Sequence, residues 1–240
     1  KWDTSYHFDA TKFGSWLRDN LCQSVEHTKA RIITTLYHDD GHFNDEFLYS
    51  ATVKSLVDDQ GNEYEADYFI DCSGFGSVLL EKSMGQDFIP FPNLPNDSAV
   101  VTHVPYVDKN KEMKNQTDGY AMDNGWCWTI PLWENIGKGY VYSSTHTTKD
   151  QAEQEFRKHL DWGGDVEHIE FKHGKRRLGW CNNVIGIGLS YGFLEPLEST
   201  GLFTTHENIL RLVDTFERRD GHITQIDVDG YNHAVHYELE

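Results

Sequence analysis

Glu198 is the residue around which a chemistry can be built. It sits in the stretch 184–203, which reads V-I-G-I-G-L-S-Y-G-F-L-E-P-L-E-S-T-G-L-F. An apolar β-type run, 184–187, leads into a turn punctuated by Gly186, Gly188 and Gly192. Glu195-Pro196-Leu197-Glu198-Ser199-Thr200-Gly201 follows, and then a helical pattern. Ser199 and Thr200 are residue types that cap helices. Gly192 and Gly201 let the main chain approach a neighbour or a ligand closely. A helix start placed after a strand offers unpaired N–H groups and a partial positive charge, suited to an anion or a polar ligand edge. A carboxylate just ahead of those donors makes a candidate reaction centre. The same residues equally make a plain strand-turn-helix junction whose acids favour the helix dipole, and the local pattern leaves both open.

Three other groups carry chemistry in principle. Trp126, Trp128 and Ile130 fall on one strand face by the period of two, in Gly125-Trp126-Cys127-Trp128-Thr129-Ile130-Pro131. Two tryptophans on one face line a flat aromatic ligand or form a thick core layer. Gly174-Lys175-Arg176-Arg177 is the densest basic cluster of the chain and reads as a solvated strand end or an anion contact. His38 and His42 flank a turn, without helical spacing or a third nearby ligand, so no metal is expected there. The G-x-G-x-x-G, P-loop and H-E-x-x-H signatures are all missing.

The elements that must position these residues can be read in order. Asp9 caps a helix from about Ala10 to Asn20, with Phe13, Trp16, Leu17 and Leu21 on its apolar face. Residues 31–37 and 47–57 read as strands, Asp58-Asp59-Gln60-Gly61 as a hairpin turn, and 62–66 and 67–72 as returning strands of one meander. Cys72-Ser73-Gly74-Phe75-Gly76 ends that meander, and a helix follows with Leu79, Leu80 and Met84 inward and Gly85 at its stop. The Pro-rich segment 86–97 is expected to be a loop or crossover. Strands are expected at 98–104, 120–132 and 139–143, and at 168–173. Thr148-x-x-Gln151 is a capping box opening a surface helix to about Leu160. Leu202, Ile209, Leu210, Leu212, Val213 and Phe216 sketch an amphipathic helix to about Arg218, and the polar tail 221–240 gives no clear element.

Composition excludes some partners. A formal charge of -18, from 39 acids against 21 bases, disfavours nucleic acid and anionic membrane, both of which need basic patches. No apolar run approaches the ~18 residues of a membrane helix. The four cysteines, Cys22, Cys72, Cys127 and Cys181, form no C-x-x-C pair and read as reduced and buried, as in a cytoplasmic chain.

Four segments together resemble one family, the flavin-dependent halogenases of the tryptophan-halogenase type. They are Tyr6-His7-Phe8-Asp9-Ala10, the strand ending Asp71-Cys72-Ser73-Gly74-Phe75, the W-x-W-x-I-P motif at 126–131 and the G-F-x-E-P-L-E-S-T-G motif at 192–201. The third and fourth are the specific ones. The resemblance implies a mixed α/β (α+β) chain with the FAD-binding fold of the aromatic flavin hydroxylases and a substrate-region sheet, here incomplete. It implies that residues 1–240 are one partial domain from the middle of a longer chain, without the FAD-pyrophosphate glycine loop and catalytic-lysine segment, and inactive alone.

The resemblance also implies the chemistry. Reduced FAD, supplied by a separate flavin reductase, would react with oxygen to a flavin hydroperoxide, and chloride or bromide would attack that to give hypohalous acid. That oxidant would halogenate an electron-rich aromatic such as tryptophan or another indole, a phenol or a pyrrole. Glu198 would be catalytic. Gly74, Gly188 and Ser199 would contact the cofactor, and the N–H groups of Thr200 and Gly201 would hold the halide. Trp126, Trp128, Ile130 and Pro131 would form the barrier between substrate and flavin. The alternatives are a flavoprotein hydroxylase of the same fold and a non-catalytic remnant that binds an aromatic ligand.

Overall fold

The computed structural model describes residues 6–38 and 51–239, with the main chain alone at Glu198. The chain begins with α1 (Ala10–Asn20), β1 (Ile32–Tyr37), β2 (Val53–Asp58), β3 (Glu63–Glu65) and β4 (Phe69–Asp71). A 3-10 turn at Gly74–Gly76 precedes β5 (Phe88–Pro90), β6 (Ser98–Pro105) and the single turn α2 (Lys109–Glu112). Then come β7 (Asp118–Met122), β8 (Gly125–Pro131), β9 (Asn135–Tyr142), α3 (Lys149–Leu160), β10 (Glu167–Glu170) and β11 (Gly174–Arg176). The last part holds β12 (Trp180–Cys181), β13 (Val184–Gly186), β14 (Gly192–Phe193), α4 (Thr200–Arg219) and α5 (Gln225–Tyr237). Of the described residues, those within Lys1–Thr28 and Pro95–Phe171 form one compact unit, and those within Lys29–Leu94 and Lys172–Glu240 form another. Among them no helix is long and apolar enough to cross a membrane.

The first unit is built on an antiparallel sheet in the order β10-β6-β9-β8-β7. The expected strand 120–132 is broken by a turn at Asp123-Asn124 into β7 and β8. Side chains alternate across a strand, so Val100, Cys127, Tyr140 and Tyr142 share one face and pack against Ala152 and Phe156 of α3. α3 starts with the expected capping box: Gln151 N–H donates to Thr148 Oγ1 at 3.3 Å, and Thr148 N–H donates to Gln151 Oε1 at 3.1 Å. Tyr140 O–H donates to Glu155 at 2.9 Å, and the other Glu155 oxygen accepts from Asp123 N–H, also at 2.9 Å. The helix therefore clamps the β7–β8 turn. α1 has its expected bounds, and Asp9 accepts from Lys12 N–H at 3.0 Å. Its apolar face differs from expectation, since Phe13, Trp16 and Leu21 all remain exposed and no α1 residue is buried.

In the second unit β1, β2 and β3 form an antiparallel sheet, with the turn closed by Gly61 N–H donating to Asp58 O at 3.1 Å. The meander stops there. β4 leaves that sheet and pairs in parallel with β13, which also pairs with β12. The start of the expected strand 47–57, like His42, lies outside the described residues. Residues 78–84 bury Leu79, Leu80 and Met84 as expected, but through hydrogen-bonded turns. Bonds from Lys82 to Ser77 and from Met84 to Leu79 are i+5 contacts, which interrupt a regular helix. The Pro-rich segment is not all loop, because β5 pairs with β11.

Two findings overturn expectations more sharply. The tail folds into α5, capped by Thr224 and Asp227, with Val228, Tyr231 and Val235 buried. Its Asn232 acts as a substitute strand edge: Oδ1 accepts from Gly179 and Trp180 N–H at 2.9 and 2.8 Å, and Nδ2 donates to Trp180 O at 2.8 Å. Trp180 is wholly buried, stacked on Phe216 at 5.7 Å and met edge-on by Tyr231 at 5.4 Å. The basic cluster is likewise no solvated strand end, because Lys175 and Arg176 are buried. Lys175 Nζ donates to His236 O at 3.2 Å, in the last turn of α5, where exposed carbonyls favour a cation. Arg176 pairs with Glu81 at 2.6 Å and lies over the Phe88 ring. Burial pulls its pKa down, against the opposing pull of Glu81 and Asp71. All four cysteines are free, but only Cys127 and Cys181 are buried, each thiol pushed up to about 11 by burial; Cys22 and Cys72 are exposed.

Candidate active site

The second unit gathers the glycine turns of the sequence motif. β4 delivers the chain to Gly74 and β13 delivers it to Gly188. Parallel pairing of Asp71 with Gly186 sets those two exits side by side. Both glycines have φ +66, a conformation that side chains disfavour. At Gly74 a Cβ would meet nothing, so the main chain there is open; at Gly188 it would press on Thr205 Oγ1 at 3.1 Å. Phe75 and Phe193 then meet edge to face at 5.5 Å.

Asp71 locks the first turn. One carboxylate oxygen accepts from Ser73 N–H at 2.9 Å and Ser73 O–H at 2.6 Å, and the other from Leu79 and Leu80 N–H at 2.8 and 2.9 Å. Ser190 O–H donates to the main-chain carbonyl of Asp71, and Ser77 O–H donates to that of Ser190 at 2.8 Å. Sequence reasoning missed Asp71, Ser77 and Ser190 as parts of this frame. The only signal was a carboxylate closing an apolar strand ahead of Ser-Gly, a pattern that favours local capping.

A cleft of about 250 Å³ opens beside the second turn. Gly188, Thr200 and Gly201 line it together, with Leu189, Phe193 and Leu202 among its apolar walls. Ser199 adopts the left-handed conformation, φ 56 and ψ 32, as the N-cap of α4. It makes no side-chain cap bond, contrary to the expectation from its residue type; capping residues ordinarily have extended backbone, and Ser199 is left-handed. The Ser199 side chain thus leaves the first-turn N–H groups of this 20-residue helix uncapped. At Gly201 a Cβ would meet nothing within 4 Å. Uncapped N–H donors, a helix dipole and apolar walls fit a small, weakly hydrated anion. Glu198 closes the 3-10 turn Pro196–Glu198, directly ahead of Ser199.

Trp126, Trp128, Ile130 and Pro131 belong to the first unit. The two indoles and Ile130 are half-buried on the sheet face opposite α3, and Pro131 is buried. The indole centroids lie 5.8 Å apart with planes at 52°. Pro131 O meets His7 Nδ1 at 3.1 Å, which ties the first family-like segment to the W-x-W strand. No group of three or more metal-ligating side chains occurs among the described residues.

Residues 1–240 match the tryptophan halogenase family along their whole length. The chain belongs to that family. The 7-chloro-L-tryptophan 6-halogenase KtzR of Kutzneria sp. (strain 744) is 34% identical over 241 residues, covering 98% of this chain and 44% of KtzR. Among solved structures, the VirX1 apo structure is 45% identical with a TM-score of 0.89, covering 96% of this chain and 44% of VirX1. The tryptophan 6-halogenase SttH from Streptomyces toxytricini is 33% identical with a TM-score of 0.86, covering 97% and 44%. The chain therefore has the mixed α/β, FAD-binding fold of the flavin-dependent halogenases. It spans less than half the length of the relatives it matches. In this member of the family the two most specific motifs, W-x-W-x-I-P and G-F-x-E-P-L-E-S-T-G, fall on β8 and on β14 with the start of α4.

Proposed function

We propose that this chain is part of an FAD-dependent halogenase that modifies an electron-rich aromatic ring, with tryptophan or another indole as the first choice of substrate. One observation carries the reading. In a member of the tryptophan halogenase family, Gly188, Thr200 and Gly201 meet in one cleft at the uncapped start of α4. Reduced FAD, supplied by a separate flavin reductase, would when bound activate dioxygen, which is the oxidant that makes the halogen electrophilic. The N–H groups of Thr200 and Gly201 hold chloride or bromide. The open main chain at Gly74, with Gly188 and Ser199, contacts the cofactor. Glu198 accepts the proton that the ring loses after attack. Trp126 and Trp128, backed by Ile130 and Pro131, are the wall that keeps the substrate ring off the cofactor. Two exposed free thiols, Cys22 and Cys72, suit a reducing compartment such as the cytoplasm.

The test is a reaction of the full-length protein with FAD, a flavin reductase, tryptophan and either chloride or bromide. The expected product carries the halogen isotope pattern and disappears when halide is omitted. A product gaining only oxygen, formed equally without halide, would establish the hydroxylase alternative instead.

A further inference from the structure

The position of Trp128 is set by what is missing opposite it. In the paired strands β7, β8 and β9, Trp128 faces Gly119 on one side and Gly139 on the other. Cross-strand partners share a sheet face. A Cβ added to Gly139 would come within 2.0 Å of Cζ2 and 2.1 Å of Cη2 of the Trp128 ring. At Gly119 it would meet nothing within 4 Å. The indole therefore lies over β9 and fills the volume that a side chain on Gly139 would take. Trp126 has no such space, because its β9 partner is Val141, and its plane is turned 52° from that of Trp128. One row further on, Ile130 faces Gly137, where a Cβ would touch only Ile130 O at 3.7 Å. Glycine inside a strand weakens it and often marks a close approach. Here the group that approaches is the ring of a motif tryptophan.

We infer that Gly139 is a positioning residue: the space it leaves above β9 fixes the plane of the Trp128 indole and so the shape of the aromatic wall offered to the substrate. The packing half stands on the sheet alone, and the substrate half rests on the proposed halogenase function.

The experiment uses the full-length protein and the variants Gly139→Ala, Gly119→Ala, Trp128→Phe and Gly139→Ala with Trp128→Phe. Near-ultraviolet circular dichroism reads the indole environment, and steady-state kinetics read kcat and KM for tryptophan and for halide. Gly139→Ala should change the near-ultraviolet spectrum and lower kcat/KM for tryptophan by about 10–100-fold, the scale of a misplacement near 1 Å, with the halide KM unmoved. Gly119→Ala should leave both readings at parent values. The double variant should be no worse than Trp128→Phe alone, since both changes act on one ring. A parental spectrum and KM for Gly139→Ala, or losses that add to those of Trp128→Phe, overturn the inference. Should Gly139→Ala fail to fold, Trp128→Ala in the same chain must restore folding; continued misfolding places the clash elsewhere and also overturns it. If the parent itself makes no halogenated product, the proposed function fails while the spectrum still decides whether Gly139 sets the ring.

Discussion

Ser77 donates its hydroxyl to the main-chain carbonyl of Ser190 at 2.8 Å, and both residues are wholly buried. That bond joins the turn after β4 to the turn after β13. Ser190 returns the connection by donating to the carbonyls of Asp71 and Ile187. Ser190→Ala should take its donor from the Ile187 carbonyl and leave the Asp71 carbonyl with Ile187 N–H alone, a loss of about 1–3 kcal/mol, read as a lower denaturant midpoint. Ser77→Ala combined with Ser190→Ala should cost less than the sum of the two, because the residues share one network. Strict additivity would mean that the two turns are held independently.

Gly188 and Gly201 make a matched pair, since one is confined and the other open. Gly188→Ala forces a side chain to φ +66 and against Thr205, and should destabilise the fold by about 1–3 kcal/mol. Gly201→Ala adds a methyl group in empty space near the start of a helix and should leave the melting temperature unchanged or slightly raised. Its effect should fall on the halide, with a raised halide KM in the full-length protein. Loss of stability from Gly201→Ala with an unchanged halide KM would remove the anion role from this helix start.

Much of this frame was legible because it depends on neighbours in sequence. The Asp9 cap of α1, the Thr148 box of α3 and the alternation that sets Trp126 and Trp128 on one face are all local signals. What escaped was set by distant partners. Lys175 and Arg176 read as a solvated strand end or an anion contact, yet they are buried, received by the end of α5 and by Glu81. α5 escaped for the reverse reason: only Val228, Tyr231 and Val235 are buried, while Ile226 and Tyr237 stay exposed and blur the apolar face. Its box of Thr224 with Asp227 is the one local start signal it carries. In the site, Thr200, Gly201 and Gly188 line one cleft, while Ser199 holds the cap position of α4 and makes no cap bond.

Acid should weaken the second unit through Asp58. Hydrogen bonds led by the Asn62 side chain, with Tyr64 O–H and the N–H groups of Asn62 and Gln60, hold its pKa near about 2, below the ordinary 3.8. A native pKa below the unfolded one favours the ionised folded form. The contribution is present above about pH 4 and disappears as pH falls through the native value. Asp58→Asn should therefore lower the urea midpoint at pH 7, and the gap to the parent should narrow from about pH 4 towards pH 2. Asp227, also lowered to about 2, chiefly by Thr224 and then Arg219, should behave the same way at the start of α5. A gap that stays constant with pH would show that the Asn variants act by packing alone.

Glu198 and Glu195 lie three residues apart, on either side of Pro196 and Leu197, and their roles should separate cleanly. Glu195 is the N-cap residue of the 3-10 turn and Glu198 its last residue, next to the left-handed Ser199. Electrophilic attack leaves a cationic ring that must lose a proton. A carboxylate beside that ring both steadies the charge and accepts the proton, help worth about 10²–10⁴-fold. Glutamine keeps the size and polarity but takes no proton. Glu198→Gln in the full-length protein should therefore keep its melting temperature and FAD binding while kcat falls by about that factor. Glu195→Gln should show the opposite balance, with a small shift in stability and turnover near that of the parent. If Glu198→Gln halogenates at the parental rate while Glu195→Gln is dead, the carboxylate roles are reversed. If both turn over normally, this stretch is a strand-turn-helix junction and the base lies elsewhere in the full-length enzyme.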